Sequence, residues 1–259
     1  VSKDFLEDMA RRYGKGSNAY RVRVLGEFPT GDADTVVPYE LVMSAQLREV
    51  TPNPEAPMVW GLDVARFGND RSVLCKRRQN AVLERPLVWR DKDVMQLAAV
   101  VHEEYLATPD RDRPTEICVD SIGVGAGVAD RLRQLNLPAR DINVSESPAL
   151  KERYANLRAE LWFAAKEWFQ RRDCQIPPDD DHHEAGSLGA ELSQPRFHFS
   201  RTNKLQVESK DDIKRRNQQA SPDLADAFVL TMAGLATTMG FGQQHRGWNE
   251  PLSRGIPIL

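Results

Sequence analysis

From residue 58 onward, short runs that are apolar on both faces alternate with longer stretches of helical spacing. Met58-Val59-Trp60-Gly61-Leu62-Asp63-Val64 is apolar at nearly every position, the pattern of a strand covered on both sides. A turn at Gly68-Asn69-Asp70 leads into a second strand over 71–76. A third strand is predicted over 81–89, where Pro86 argues for an edge position. Residues 91–107 carry Val94, Leu97, Ala98, Val101 and Tyr105 at helical spacing. Glu116–Asp120 reads as a fourth strand, 124–135 as a helix and 139–144 as a fifth strand. A long helix follows, with Leu150, Tyr154, Leu157, Leu161, Ala164 and Trp168 on one stripe. Phe197-His198-Phe199 and Leu205-Gln206-Val207 flank Arg201-Thr202-Asn203 as a hairpin. Pro222 opens a last helix whose Leu224, Phe228, Val229, Met232 and Leu235 must bury. Three meandering strands followed by alternating helices and strands predict an α/β fold: a mixed sheet flanked by helices, with an added β-hairpin.

The flanks read differently. Before Pro54, Phe5, Leu6 and Met9 mark a short amphipathic helix, Gly14, Gly16, Gly26, Pro29 and Gly31 punctuate turns, and 39–47 is a second short helix. Residues 1–54 therefore read as a linker or docking segment, 55–239 as the main domain, and the Gly-, Pro- and polar-rich 240–259 as a mobile tail. The 259 residues suffice for one large core. A net charge of -3 excludes a globally basic nucleic-acid coat, so any such contact must be local. Cys75, Cys118 and Cys174 give neither zinc spacing nor a disulfide framework, which fits a reducing compartment. No run approaches the ~20 apolar residues needed to span a bilayer, and no charged-then-apolar leader opens the chain.

The candidate chemistry lies in carboxylates. Asp63 and Asp120 each end an apolar strand, where an isolated ionised carboxylate is costly and needs a cation or a strong partner. If those strands are parallel neighbours, both aspartates emerge at one sheet edge, the carboxyl end that open α/β sheets use for ligands. Asp223 and Asp226 lie three apart on the last helix, hence on one face. Taken singly, a strand-end aspartate is usually a turn residue and Asp223 a favourable first-turn charge. The ordered set is what points to a site for hard divalent ions, Mg2+ or Mn2+, which prefer oxygen ligands. Two such ions can activate a water and stabilise the leaving oxygen of a phosphodiester.

These residues carry a resemblance. Trp60-Gly61-Leu62-Asp63-Val64-Ala65 followed by Gly68-Asn69-Asp70-Arg71-Ser72 resembles the first nuclease motif of phage terminase large subunits. Val119-Asp120-Ser121-Ile122-Gly123-Val124-Gly125-Ala126-Gly127 looks like the second, and Glu208 to Lys214 with Ser221-Pro222-Asp223-Leu224-Ala225-Asp226-Ala227 like the third region. Tyr20-Arg21-Val22-Arg23-Val24-Leu25-Gly26-Glu27-Phe28-Pro29 resembles the segment that joins such a nuclease to its packaging ATPase. The resemblance implies a ribonuclease H-like, resolvase-type endonuclease that cuts concatemeric double-stranded viral DNA in the host cytoplasm. It places metal ligands at Asp63, Asp120 and Asp226, with Asp223 accessory or alternative, and a basic residue, Lys210, near the scissile phosphate. No Gly-x-x-x-x-Gly-Lys-Ser/Thr occurs, so an ATPase motor domain, with the small terminase subunit and the portal or procapsid, belongs to a full-length parent. A junction-resolvase or transposase-like nuclease on the same fold stays open, as does an actin- or hexokinase-type ATP-binding domain, although Ala65 stands where that fold's phosphate loop wants glycine.

Other signals have plainer readings. Gly123-Val124-Gly125-Ala126-Gly127 lacks dinucleotide-fingerprint spacing and reads as a flexible loop beside Asp120, open to close approach of DNA. Basic residues gather at Lys76-Arg77-Arg78 and at Lys210, Lys214, Arg215 and Arg216; the second group shortly precedes Asp223 and is the better candidate to hold phosphates. Arg196, Arg201 and Lys204 on the hairpin could lie along a duplex. Trp162, Phe163, Trp168 and Phe169 read as helix core, and His182-His183 as part of a solvated acidic loop.

Overall fold

The computed structural model describes residues 20–27, 34–65, 71–179, 186–217 and 221–234, with residues 3, 6, 7, 10 and 15. The predicted turn at 68–70, most of the first amphipathic segment, His182-His183 and the tail from 240 lie outside the described residues. The elements in chain order are α1 (Tyr39–Gln46), β1 (Met58–Asp63), β2 (Ser72–Arg78), β3 (Leu87–Trp89), α2 (Val94–Ala107), β4 (Glu116–Asp120), α3 (Gly125–Gln134) and β5 (Ala139–Ile142). There follow α4 (Leu157–Gln170), α5 (Leu188–Leu192), β6 (Phe197–Phe199), β7 (Leu205–Val207), α6 (Lys210–Asn217) and α7 (Asp223–Leu230).

The five-stranded sheet runs β3-β2-β1-β4-β5, and β6 and β7 form a separate hairpin. β1 is antiparallel to β2 and parallel to β4, which is parallel in turn to β5. This is the mixed sheet that the strand order predicts, in the ribonuclease H-like arrangement that the resemblance implies. The register sets Leu62 beside Val119, so Asp63 and Asp120, one residue further along each parallel strand, leave the sheet as neighbours at its carboxyl edge.

Strand periodicity then decides which way the aspartates point. Trp60 and Leu62 join Leu97, Val101, Val128 and Leu132 in the core under α2 and α3. Val59 and Cys118 belong to the opposite core, with Trp162, Phe169 and Phe228 of α4 and α7. Asp63 and Asp120 share the parity of Val59 and Cys118, so both face α7. That helix approaches β1 closely because position 61 is glycine: a Cβ there would stand 2.1 Å from the Ala227 carbonyl oxygen. Every residue of α7, Asp223 and Asp226 included, is buried.

Several boundaries moved for local reasons. The long helix begins at Leu157, since the Asn156 side chain accepts from the Ala159 N–H at 3.0 Å and so caps it there; Leu150 is left outside, exposed. α2 starts at Val94, where Asp93 and Gln96 form a capping box. β3 is shortened to three residues, while Ala81 bridges to Arg78 and Gln175 instead. Pro222 is the N-cap of α7 and not its first turn, and the helix ends at Leu230 in a tighter turn over Thr231–Ala233. α5 and α6 were not predicted. Val36, Val37, Val42 and Ala45 are fully buried in the α4–α7 core. Among the described residues no helix is long and apolar enough to cross a membrane.

Candidate metal centre

The last turn of β1, the end of β4, the first turn of α7 and the start of α6 meet at one cleft of about 550 Å3. Asp63, Asp120, Lys210 and Asp223 line it, with Arg158, His198, Gln206 and Lys214 around them. Lys210 stands at the centre: its Nζ lies 2.9 Å from Asp63 Oδ2, 3.2 Å from Asp226 Oδ2 and 3.9 Å from Asp223 Oδ1. α6 can present Lys210 this way because Ile213, fully buried, anchors an otherwise polar helix. Asp120 sits at the rim, where its Oδ1 accepts from the Ile122 N–H at 3.1 Å.

The helix carboxylates are each gripped from behind. Asp226 Oδ1 accepts from Trp162 Nε1 and from Arg158, both at 3.2 Å. Arg71 Nε donates to Asp223 Oδ2 at 3.3 Å, while its Nη2 donates to Glu191 Oε1 at 2.7 Å. Glu191 Oε2 in turn accepts from the Leu224 and Ala225 N–H groups at 2.7 and 3.2 Å. One oxygen of each helix aspartate is thereby held away, and the other faces Lys210.

The electrostatics follow from burial and crowding. Burial pushes the Asp63 carboxyl up to about 7 against the pull of Lys210, with Asp226 and Asp223 adding to the rise. Burial raises Asp120 as well, opposed by the Ile122 N–H. Asp226 moves the other way: burial would raise it, but Arg158 and Lys210 together hold it below the usual carboxylate range. Burial works against the Lys210 ammonium, yet Asp63 and Asp226 keep it above the ordinary lysine range. Lys210 thus stands as a central positive charge among crowded carboxylates, with Arg158 and Arg71 backing Asp226 and Asp223.

These groups suit a hard divalent cation. The side chains that converge on Lys210 are carboxylates, hard oxygen donors of the kind such ions prefer. Asp226 Oδ2 is buried against the Lys210 ammonium at 3.2 Å, a carboxylate oxygen with a lone pair to spare. Among the described residues no group of three or more acidic, histidine or cysteine side chains is spaced to hold an ion. The carboxylates of Asp63, Asp223 and Asp226 surround the Lys210 ammonium.

Of the predicted site residues, Asp63, Asp120, Asp223 and Lys210 line one cleft, and Asp226, buried beside it, reaches Lys210 at 3.2 Å. The first basic group is not part of it: Arg77 is buried on Thr231, Lys76 pairs with Glu84 and Glu104, and Arg78 with Asp112. Of the second group, Lys210 and Lys214 line the cleft, whereas Arg215 pairs with Asp212 and Arg216 with Glu208. The glycine run after Asp120 has a more specific need than flexibility. A Cβ on Gly125 would stand 1.8 Å from the Asp120 carbonyl oxygen, and Gly123 has φ +73°. Arg71, Arg158, Trp162 and Glu191 were missed. Trp162 reads as core by its helical spacing, and a ring nitrogen that must find a partner once buried was the available clue.

Comparison with protein-family models and with curated proteins finds no match. Comparison with solved structures does. The nuclease domain of the large terminase subunit gp2 of bacterial virus Sf6 aligns with TM-score 0.63 at 20% identity, over 76% of this chain and 97% of that one. A lysine-to-alanine mutant of that domain with manganese aligns with TM-score 0.61 at 20% identity, over 76% and 98%. The large terminase nuclease from thermophilic phage G20c with bound magnesium aligns with TM-score 0.55 at 13% identity, over 79% and 98%. The chain accordingly shares the fold of phage large terminase nuclease domains, across most of its own length and nearly all of theirs.

Proposed function

We propose that this chain is a divalent-metal-dependent endonuclease that cuts double-stranded DNA, the nuclease portion of a phage terminase large subunit. One observation carries the reading. Asp63 from a strand end and Asp223 and Asp226 from a helix more than 150 positions later converge on a single cation, beside Asp120, in an open cleft on this fold. A core needs no such arrangement, because burying like charges is costly and a structural cluster would gain nothing from facing solvent.

Asp63, Asp120 and Asp226, with Asp223 beside them, would hold one or two Mg2+ or Mn2+ ions. Bound there, the ions supply the Lewis-acid charge that phosphodiester hydrolysis requires. The chain's own residues do the rest. Trp162 and Arg158 hold Asp226 Oδ1 and leave Oδ2 facing Lys210. Lys210 can exchange its carboxylate partners for a phosphate oxygen, carrying positive charge to the backbone that is cut. Lys214 on α6, with His198 and Gln206 on the hairpin, lines the wall along which a duplex would run. No base need be read. In the full reading the substrate is concatemeric viral DNA, residues 1–54 lead from an ATPase motor, and the small subunit and procapsid are further partners.

The test is nicking of supercoiled plasmid in Mn2+ or Mg2+. The wild-type protein converts it to open-circular and linear forms, and Asp63→Ala and Asp120→Ala abolish the conversion while melting cooperatively. Full activity in both variants would refute the site. A strong preference for four-way junctions over linear duplex in the same assay would move the reading to a resolvase.

A further inference from the structure

Resting on the metal-site reading above, we propose that Glu191 and Arg71 form a tether that positions Asp223, and that metal affinity depends on this tether although neither side chain faces the cleft. α7 begins without a side-chain cap of its own, because Pro222 occupies the N-cap. Its first N–H groups have no acceptor within the helix, at the end that carries Asp223 and Asp226. Glu191, reaching across from α5, fills the gap: one oxygen takes the Leu224 and Ala225 N–H groups. Its other oxygen takes Arg71 Nη2 at 2.7 Å. The same guanidinium holds Asp223 Oδ2 at 3.3 Å and the Ser221 carbonyl oxygen at 3.3 Å.

The geometry divides labour within the pair. Glu191 fixes where the first turn of α7 stands. Arg71 ties the Asp223 side chain to that fixed point and leaves Oδ1 for the cleft. Both members are buried, 6% and 8% exposed, so the arrangement is rigid and not a surface pairing that water could replace. α5 is only five residues long and delivers Glu191 from its last turn. A guanidinium is the group able to grip two carboxylates and a carbonyl in one plane; a lysine ammonium at that position would satisfy one carboxylate at a time. Partners that orient a ligand in this way typically set metal affinity by about 10–100-fold.

The experiment uses the whole chain and two conservative variants. Glu191→Gln keeps an oxygen to accept the α7 N–H groups but presents an amide to Arg71, cutting the tether from one side. Arg71→Lys cuts it from the other and leaves the Glu191 cap intact. Mn2+ binding is measured by calorimetry, with plasmid nicking and apparent DNA affinity alongside. The expected result is Mn2+ affinity weakened about tenfold or more in both variants, with DNA affinity within about twofold of wild type. Excess Mn2+ should restore much of the nicking, and both variants should melt cooperatively in chelator above the assay temperature, which separates weakened binding from general destabilisation. Mn2+ affinity within twofold of wild type in either folded variant overturns the tether. A wild-type protein that binds no Mn2+ overturns the metal reading itself, and the tether with it.

Discussion

Lys210→Ala takes the ammonium out from between Asp63, Asp223 and Asp226 and leaves their carboxylates facing one another. Removing one partner of a buried ion pair costs roughly 3–5 kcal/mol. The Lys210 side chain is 35% exposed, so solvent screening brings this to about 2–3 kcal/mol. For a domain of this size that is a fall of roughly 5–10 °C in melting temperature. The pH dependence has a definite sign. Asp63 already sits at about 7 when folded, against 3.8 for a free side chain, so the folded form binds a proton that the unfolded form releases. That contribution is complete below pH 3.8 and disappears as pH rises through 7. Without the ammonium to oppose it the rise is larger, so the gap between variant and wild type widens above neutrality and closes toward pH 5. Scanning fluorimetry in chelator at pH 8 and pH 5, then with Mn2+ added, reads all three quantities. Mn2+ should raise the variant by more than it raises the wild type, because the ion replaces the missing charge and no longer competes with a lysine. A variant that melts with the wild type in chelator at pH 8, or that gains no more from Mn2+, would refute this account of the cleft.

Two further outcomes follow from the same geometry. Because Asp63 is held at about 7 and a protonated carboxyl ligates poorly, Mn2+ affinity should fall as pH drops below 7. Binding at pH 6 should then release about one proton that is not released at pH 8.5, measurable by calorimetry in buffers of different ionisation enthalpy. Gly61→Ala should lift α7 off β1, since the new Cβ meets a backbone oxygen at 2.1 Å, and cost about 3 kcal/mol, at the upper end for overpacking. It should weaken Mn2+ binding too, whereas Val128→Ala on α3, in the core beneath the other sheet face, should lower the melting temperature and leave Mn2+ binding intact. Equal Mn2+ affinities in both would dissociate the glycine from the site.

What the chain disclosed in advance was whatever is written in local periodicity. An apolar strand ending in aspartate announces itself twice, at Asp63 and Asp120, and the spacing of Asp223 and Asp226 puts them on one helical face. The hairpin was placed to the residue, because its two apolar triplets flank an unambiguous turn. α6 escaped for the converse reason: in Lys-Asp-Asp-Ile-Lys-Arg-Arg-Asn a single isoleucine faces the core, too little to register as an amphipathic stripe. Yet that helix delivers Lys210. The Arg71–Glu191 pair is invisible to any window, since 120 positions separate its members and each looks like an ordinary surface charge. The length of α4 was overdrawn for a similar reason. Leu150 and Tyr154 extend the stripe on paper, but the chain is turned aside at Asn156, whose side chain satisfies the helix end.

The close seat of α7 on Gly61 gives the molecule an inherent safeguard. On the proposed function, two of the four carboxylates that would hold the ions, Asp223 and Asp226, arrive with a helix whose seat is the sheet itself. A molecule that is partly melted, clipped ahead of Pro222, or misfolded at the sheet would keep its strand-end acids but could not assemble the proposed centre. Damage to this protein should therefore yield an inert species and not an unregulated one, sparing whatever nucleic acid surrounds it.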